Sequence, residues 1–174
     1  NIYSTNLIDL LEVRQIVGTN QQTLARFSYS TNHLPIAAVD AAGKTNYFGY
    51  NGHGQLIAST NALNETVTLQ YDAKGFLTNI IGALSNATTS FTYDSANRVR
   101  TTTDSEGYTV TLDYDDLDRV TKITYPDETD EQIVYEFLDP VLRKDRRGHW
   151  TRTSYDALRR VKEIQDSLNR VTHL

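Results

Sequence analysis

Tyrosine returns at a nearly constant interval along this chain, and this spacing limits the folds that are open to it. Seven of the 11 tyrosines are separated by 20–22 residues. They are Tyr29, Tyr50, Tyr71, Tyr93, Tyr114, Tyr135 and Tyr155. A fixed period in this range is typical of repeated supersecondary units, each of which buries its apolar side against its neighbours. The spacing therefore predicts a repeat array.

Apolar residues alternate with the repeat tyrosine, which indicates a β-strand. The position two residues before the tyrosine is apolar in six of the seven repeats, where it holds Phe27, Phe48, Leu69, Phe91, Leu112 and Ile133. Side chains two residues apart lie on the same face of a strand. We therefore expect each repeat tyrosine to end a strand whose apolar face it shares.

A second apolar run begins six residues after most of the tyrosines, at Leu56, Leu77, Val99, Val120, Val141 and Val161. In three repeats an isoleucine follows at the ninth position, namely Ile80, Ile123 and Ile164. A step of three residues breaks the alternation of a regular strand. A β-bulge or a strand buried on both faces would each explain it, and both remain open at this point.

Turn residues separate these runs on both sides. Asp follows the repeat tyrosine at Asp72, Asp94, Asp115 and Asp156. We expect this side chain to accept hydrogen bonds from backbone N–H groups of its own turn. A second turn follows the second run and centres on Gly43, Asn64, Asn86, Gly107, Glu128, Gly148 and Asn169. Each unit thus reads as strand, turn, strand, turn, which predicts an all-β fold of tandem hairpins of about 21 residues.

We expect residues 1–174 to form a single array of about eight units. The first unit is degenerate, because Ile8-Asp9 stands where a tyrosine is due, and the last is truncated at Leu174. A helix over Leu7–Val17 is the less favoured alternative for the first unit. Residues 1–87 carry 9 charged side chains and residues 88–174 carry 30, which we interpret as divergence between repeats. An array that ends within a repeat, in a chain without methionine, is expected to be a piece of a longer protein.

The motif Tyr-Asp-x-x-(Gly/Asn/Asp/Arg)-(Arg/Phe)-(Leu/Val) resembles the YD repeat of RHS proteins. Its closest copies begin at Tyr71, Tyr93, Tyr114 and Tyr155. The resemblance extends from about Asn6 to Leu174. Tyr29 and Tyr135 depart from the pattern, because Ser30 and Glu136 follow them.

The resemblance implies a structural function. YD repeats of this family are hairpins that spiral into a hollow β-shell around a polypeptide, commonly a C-terminal toxin domain. Relatives include bacterial polymorphic toxins, shell components of insecticidal toxin complexes, and teneurins. The chain is then expected to be a curved antiparallel sheet within a larger shell. Its expected partners are the rest of the parent shell and an enclosed or C-terminal polypeptide, at a secreted or cell-surface location.

No catalytic residue is carried over from the family. Its self-cleaving Asp-Pro-x-Gly-Leu motif is not matched, because Asp139-Pro140 is followed by Val141-Leu142 and lacks the glycine. Enzymatic activity is therefore not expected.

Composition removes several other classes of function. The chain has no cysteine, which excludes disulfides, thiolate nucleophiles and cysteine metal sites. A net charge of −5 argues against nucleic-acid binding through bulk electrostatics. No apolar stretch reaches the ~18 residues of a membrane-spanning helix. The four histidines lack metal-ligand spacing, and we expect neither a metal nor a cofactor.

Some alternatives remain open. The acidic clusters in 113–118 and 127–131 fit solvated turns better than calcium sites, and the basic cluster in 143–147 fits a solvated turn better than a partner site. A carbohydrate- or cell-surface-binding module built of aromatic hairpins is the second functional hypothesis, and exposed tyrosine rings would favour it. A β-propeller is disfavoured, because consecutive repeats resemble each other. The isolated sheet is also expected to have open edges that can self-associate.

Overall fold

The computed structural model describes residues 1–84 and 87–174, and every regular element within them is a β-strand. The predicted all-β fold is confirmed, and the helix alternative near the N-terminus is wrong, because Leu10–Val17 forms a strand. Contacts divide the chain into a first unit, 1–88, and a second unit, 89–174. Within each unit, strands that follow one another in sequence pair antiparallel, as in a meander.

The first unit contains eight complete strands. Each strand pairs antiparallel with the next one along the chain. They are β1 (Ile2–Tyr3), β2 (Leu10–Val17), β3 (Asn20–Tyr29), β4 (Pro35–Asp40), β5 (Thr45–Tyr50), β6 (Leu56–Thr60), β7 (Thr66–Tyr71) and β8 (Leu77–Ile81).

The second unit continues the same pattern of consecutive antiparallel pairs. Its first strand, β9 (Thr88–Tyr93), has all but its first residue in this unit. The others are β10 (Val99–Thr103), β11 (Thr109–Tyr114), β12 (Val120–Thr124), β13 (Asp130–Glu136), β14 (Asp139–Lys144), β15 (Trp150–Tyr155), β16 (Val161–Gln165) and β17 (Val171–His173).

A β-bulge accompanies every repeat tyrosine. Tyr114 lies opposite Val120, whereas Asp113 lies opposite Lys122, so Thr121 is an extra residue on the second strand. The same shift occurs beside the other six repeat tyrosines. Of the two explanations for the three-residue step, the bulge is confirmed.

The first hairpin also has its own tyrosine, which the sequence pattern did not identify. Tyr3 lies opposite Leu10, and the same register shift lies between Ile2 and Tyr3. The interpretation that the first repeat lacks a tyrosine is therefore wrong. More residues separate Tyr3 from Tyr29 than separate the later repeat tyrosines, because strands β2 and β3 are longer than the strands of later repeats.

The turns adopt the left-handed backbone that their residue types favour. Six of the seven residues at the centre of the second turns have positive φ, from 62° to 85°: Gly43, Asn64, Gly107, Glu128, Gly148 and Asn169. Asn86, the seventh, lies outside the described residues. These positions fix the tight reversals that keep successive strands adjacent.

The sheet has no buried core in the part of the chain that the structure describes. No hydrophobic or polar side chain there is classed as buried. The accessible surface is 12194 Å², against about 8,600 Å² for a compact chain of this mass. Apolar residues such as Leu112, Ile123 and Ile133 remain half-buried on the tyrosine-bearing face. Cross-strand contacts on that face therefore contribute to the apolar burial.

Candidate functional site

The repeat tyrosines connect consecutive hairpins through their hydroxyl groups. Tyr114 Oη donates a hydrogen bond of 2.8 Å to the carbonyl oxygen of Val99, at the start of the preceding unit's second strand. Four further tyrosines repeat this bond at 2.9–3.1 Å, namely Tyr29 to Leu10, Tyr50 to Pro35, Tyr71 to Leu56 and Tyr155 to Pro140. All seven rings are half-buried. Each of these five bonds fastens a hairpin to the one before it.

The aspartate after the tyrosine organises the turn. In the first of these turns, Asp72 Oδ1 accepts hydrogen bonds of 2.9 Å from the backbone N–H groups of Lys74 and Phe76. The same two bonds, at 2.9–3.0 Å, form at Asp94, Asp115 and Asp156. The carboxylate thus satisfies two donors that a tight turn would otherwise leave unpaired.

At Asp94, Asp115 and Asp156, the hydrogen-bond partners favour the charged form of the carboxylate. The backbone N–H of Arg98 is the main influence that lowers the pKa of Asp94, and its guanidinium adds to it. The Arg119 side chain lowers the pKa of Asp115, and the backbone N–H of Arg160 lowers that of Asp156. These three turns are therefore built around ionised aspartate.

Arg98 joins two successive turns. Its guanidinium pairs with Asp94 of its own turn at 2.8 Å and with Asp118 of the next turn at 2.8 Å. It also donates a 2.8 Å hydrogen bond to the carbonyl oxygen of Asp115. The pairing of this arginine with an aspartate of a neighbouring repeat is confirmed. The guanidinium also lies over the Tyr114 ring, 4.7 Å from its centroid, which sequence reasoning did not anticipate.

Other units use the same position in the same way. Arg119 pairs with Asp115 at 2.6 Å, donates to the carbonyl oxygen of Phe137 at 2.7 Å, and lies 3.9 Å from the Tyr135 centroid. Gln55 replaces the arginine in an earlier unit and donates to the carbonyl oxygen of Gly75 at 2.8 Å. In these three repeats, the residue five positions after the tyrosine thus reaches the next turn, whether or not it is charged.

The acidic clusters are largely engaged in ion pairs. Besides the pairs of Asp115 and Asp118, Asp127 contacts Arg146 at 2.8 Å and Asp130 contacts Lys144 at 2.9 Å. Two cations of the basic cluster, Lys144 and Arg146, are thus each paired with an aspartate at or beside the preceding turn. Among residues 1–84 and 87–174, no group of three or more His, Asp or Glu side chains is arranged to hold a metal ion.

Three of the four histidines lie beside single carboxylates. His33 is 3.0 Å from Asp9, His149 is 3.4 Å from Asp145, and His173 is 3.2 Å from Glu163. The described segments contain no helix that could span a membrane.

Two segments of the chain, residues 50–87 and 93–130, match the family model of the RHS repeat. These two segments carry RHS repeats. Both matched segments start at a repeat tyrosine, Tyr50 and Tyr93, and each covers nearly two units. The resemblance inferred from the Tyr-Asp motif is thereby confirmed. No curated protein sequence matches the chain.

The fold of the chain is also found in solved Tc toxin structures. The crystal structure of TcdB2-TccC3-TEV has a TM-score of 0.74 at 13% identity, over 99% of this chain and 12% of that chain. For TcdB2-TccC3 the TM-score is 0.71 at 15% identity, over 90% and 10%. For the Photorhabdus luminescens Tc holotoxin pore it is 0.69 at 14% identity, over 88% and 10%. The likeness is one of fold, and this chain spans about a tenth of the length of each.

Proposed function

We propose that the chain is a wall segment of an RHS-type shell that encloses or displays another polypeptide, such as a C-terminal toxin domain. In this proposal the segment performs no catalysis, and its partners are the rest of the parent shell and the enclosed polypeptide. A secreted or cell-surface location follows from the same proposal. Residues 1–174 act as one array in which each hairpin supports the next.

The row of bonds between hairpins is the observation that carries this proposal. Tyr114 and Arg98 each link one hairpin to its neighbour, and equivalent residues repeat the links along the chain. The rows connect one hairpin to the next. The likeness to Tc toxin structures supports a wall as the purpose of such a sheet.

A saccharide site along the repeat tyrosines has less support. A binding platform needs a free ring face, whereas guanidinium groups cover the rings of Tyr114 and Tyr135. The hydroxyls of five repeat tyrosines are already engaged with backbone carbonyls. The aromatic row therefore fits a connecting role better than a sugar-binding one.

Limited proteolysis of the complete parent protein would test the enclosure. In the wild-type protein we expect a segment outside the repeats to resist proteinase K under native conditions and to be cleaved after denaturation. A double variant, Arg98→Ala with Arg119→Ala, removes the links between three successive turns. This variant should expose the protected segment to cleavage.

The matched control removes two arginines of the same unit that link no turns. Arg143 and Arg147 take part in no ion pair within the described residues, so Arg143→Ala with Arg147→Ala should retain the protection. A parent protein without any resistant segment would contradict the proposal. Equal cleavage in the two double variants would contradict the assigned role of the arginine links.

A further inference from the structure

A cavity of about 760 Å³ lies in the first unit, where two neighbouring turns approach each other. Gln55, Tyr71 and Asp72 are among the residues that line it. The equivalent place in the second unit is a cavity of about 500 Å³, which is lined by Arg119 and Tyr135. Gln55 and Arg119 both stand five positions after a repeat tyrosine. The cavity is thus larger in the repeat where the shorter glutamine replaces the arginine.

The ring of Tyr71 lacks the cation that covers two equivalent rings. Arg119 lies 3.9 Å from the centroid of Tyr135, and Arg98 lies 4.7 Å from that of Tyr114. Within the described residues, no guanidinium or ammonium group lies over Tyr71. Its hydroxyl is bonded to a backbone carbonyl, which holds the ring in place. Tyr71 therefore brings to the cavity an aromatic surface of the kind that a guanidinium covers elsewhere in the array.

The Asp72 carboxylate has one oxygen without a partner. Its Oδ1 accepts the two backbone bonds of the turn. In the other three Tyr-Asp turns, Oδ2 accepts a hydrogen bond from an arginine side chain, at Asp94, Asp115 and Asp156. Phe76 occupies the position of that arginine, and in the described part of the chain Asp72 Oδ2 has neither a hydrogen bond nor an ion pair. The cavity thus combines the aromatic ring and the turn carboxylate that other repeats give to an arginine.

Two basic side chains line the same cavity. Lys74 belongs to the turn of Asp72, and His53 occupies the matching position of the preceding turn. Both residues are exposed, and neither side chain forms an ion pair or a hydrogen bond among residues 1–84 and 87–174. An ammonium group and an imidazole can each donate a hydrogen bond to a carboxylate. The cavity therefore offers groups for a cation and for an anion.

We propose that this cavity binds an arginine that carries a free carboxylate, either the amino acid itself or the C-terminal residue of a peptide. The guanidinium stacks on Tyr71 and pairs with Asp72, as arginines of the later repeats do with a ring and a turn carboxylate. The carboxylate of the ligand accepts hydrogen bonds from Lys74 and His53. A cavity of this volume is large enough for such a ligand. The site does not depend on the enclosure of a polypeptide.

Calorimetric titration of the intact chain tests this ligand against matched small molecules. L-Arginine and the tripeptide Ala-Ala-Arg should both bind, and the tighter of the two identifies the source of the ligand. Citrulline has the shape of arginine without its positive charge, and agmatine lacks the carboxylate. Each should bind about tenfold more weakly than L-arginine, because each loses one charge-assisted contact.

An internal arginine provides a variant that competes with the ligand. Gln55→Arg should abolish binding, because its guanidinium would lie on Tyr71 as that of Arg119 lies on Tyr135. Gln22→Arg adds the same charge at an exposed position of β3 and should leave the affinity unchanged. Both variants should retain the far-UV circular dichroism of the wild type.

The carboxylate of the site has its own matched pair of variants. Asp72→Asn retains an acceptor for the turn, as Asn51 does in the preceding repeat, and should weaken L-arginine binding about tenfold. Asp40→Asn makes the same change in a turn with the same two backbone bonds and should leave the affinity unchanged. Lys74→Gln should weaken the binding of L-arginine but not that of agmatine.

Three results would overturn the proposal. The first is the failure of both L-arginine and Ala-Ala-Arg to bind at millimolar concentration. The second is equal affinity for citrulline, which would show that the charge of the guanidinium is not recognised. The third is an equal effect of Gln55→Arg and Gln22→Arg, which would show general charge effects in place of a defined site.

Discussion

The hydroxyl of Tyr114 provides a quantitative test of how the hairpins are connected. Its ring is half-buried, Arg98 covers it at 4.7 Å, and its hydroxyl donates to Val99 at 2.8 Å. Tyr114→Phe removes the hydrogen bond alone and should cost about 1 kcal/mol of unfolding free energy. Tyr114→Ala also removes the ring. A fully buried ring is worth about 3–5 kcal/mol, so half burial predicts a total loss of about 2–3 kcal/mol.

Urea unfolding followed by far-UV circular dichroism and Trp150 fluorescence measures these losses. With an m-value of about 2 kcal/mol/M, Tyr114→Phe should lower the midpoint by about 0.5 M. Tyr108 is the matched control, because it is in the same unit, 56% exposed, and its hydroxyl forms no hydrogen bond within the described residues. Tyr108→Phe should change stability by less than about 0.5 kcal/mol. Equal effects of the two phenylalanine variants, or a loss below about 1 kcal/mol in Tyr114→Ala, would refute the connecting role.

Two further predictions concern charge and backbone. A hydrogen bond from Arg14 is the main influence that lowers the pKa of Glu12 from 4.5 to about 2, so its contribution to stability is present above about pH 4.5 and lost as the pH falls towards 2. Urea midpoints measured across that range should fall, and the fall should be smaller in Glu12→Gln; an unchanged pH profile would contradict this. Gly75→Ala should cost about 1–2 kcal/mol, because φ is 90° and the new Cβ would lie 3.3 Å from Gln55. Gly52→Ala, where φ is not positive and no atom lies within 4 Å, should be nearly neutral in the same assay.

The regular part of the fold could be predicted from the tyrosine phase. The even return of tyrosine, with an apolar residue two positions before it, determines where one strand of each hairpin ends and which face it shares. The bulge could not be decided in the same way, because an apolar step of three residues also fits a strand buried on both faces. The decisive observation is the register of the two strands. Asp113 lies opposite Lys122 and Tyr114 lies opposite Val120, which leaves Thr121 between them without a cross-strand partner.

The tyrosine of the first hairpin was not identified from the sequence, because it does not follow the spacing of the other repeat tyrosines. Tyr3 precedes Tyr29 by more than the interval that separates the later tyrosines, so a search at that interval passes over it and finds Ile8-Asp9 instead. Only the cross-strand register, in which Tyr3 faces Leu10, reveals its role.

The arginine links were visible in the sequence only in part. An aspartate partner in the next repeat could be expected for Arg98 from its position beside the turn. The stacking on Tyr114 depends on the distance between adjacent turns, which spacing along the chain does not give. The available signal was the recurrence of arginine at the fifth position after a repeat tyrosine, at Arg98, Arg119 and Arg160.

Five repeat tyrosines reach back only to the hairpin before them, so this hydroxyl contact is the same at different places in the series. A gene that duplicates or loses one whole period would therefore make a longer or shorter sheet without new contacts to optimise. A shift of a single residue within a strand would instead turn its tyrosine to the opposite face. Such a lineage can change length in steps of one whole period, while evolution within each period remains tightly constrained.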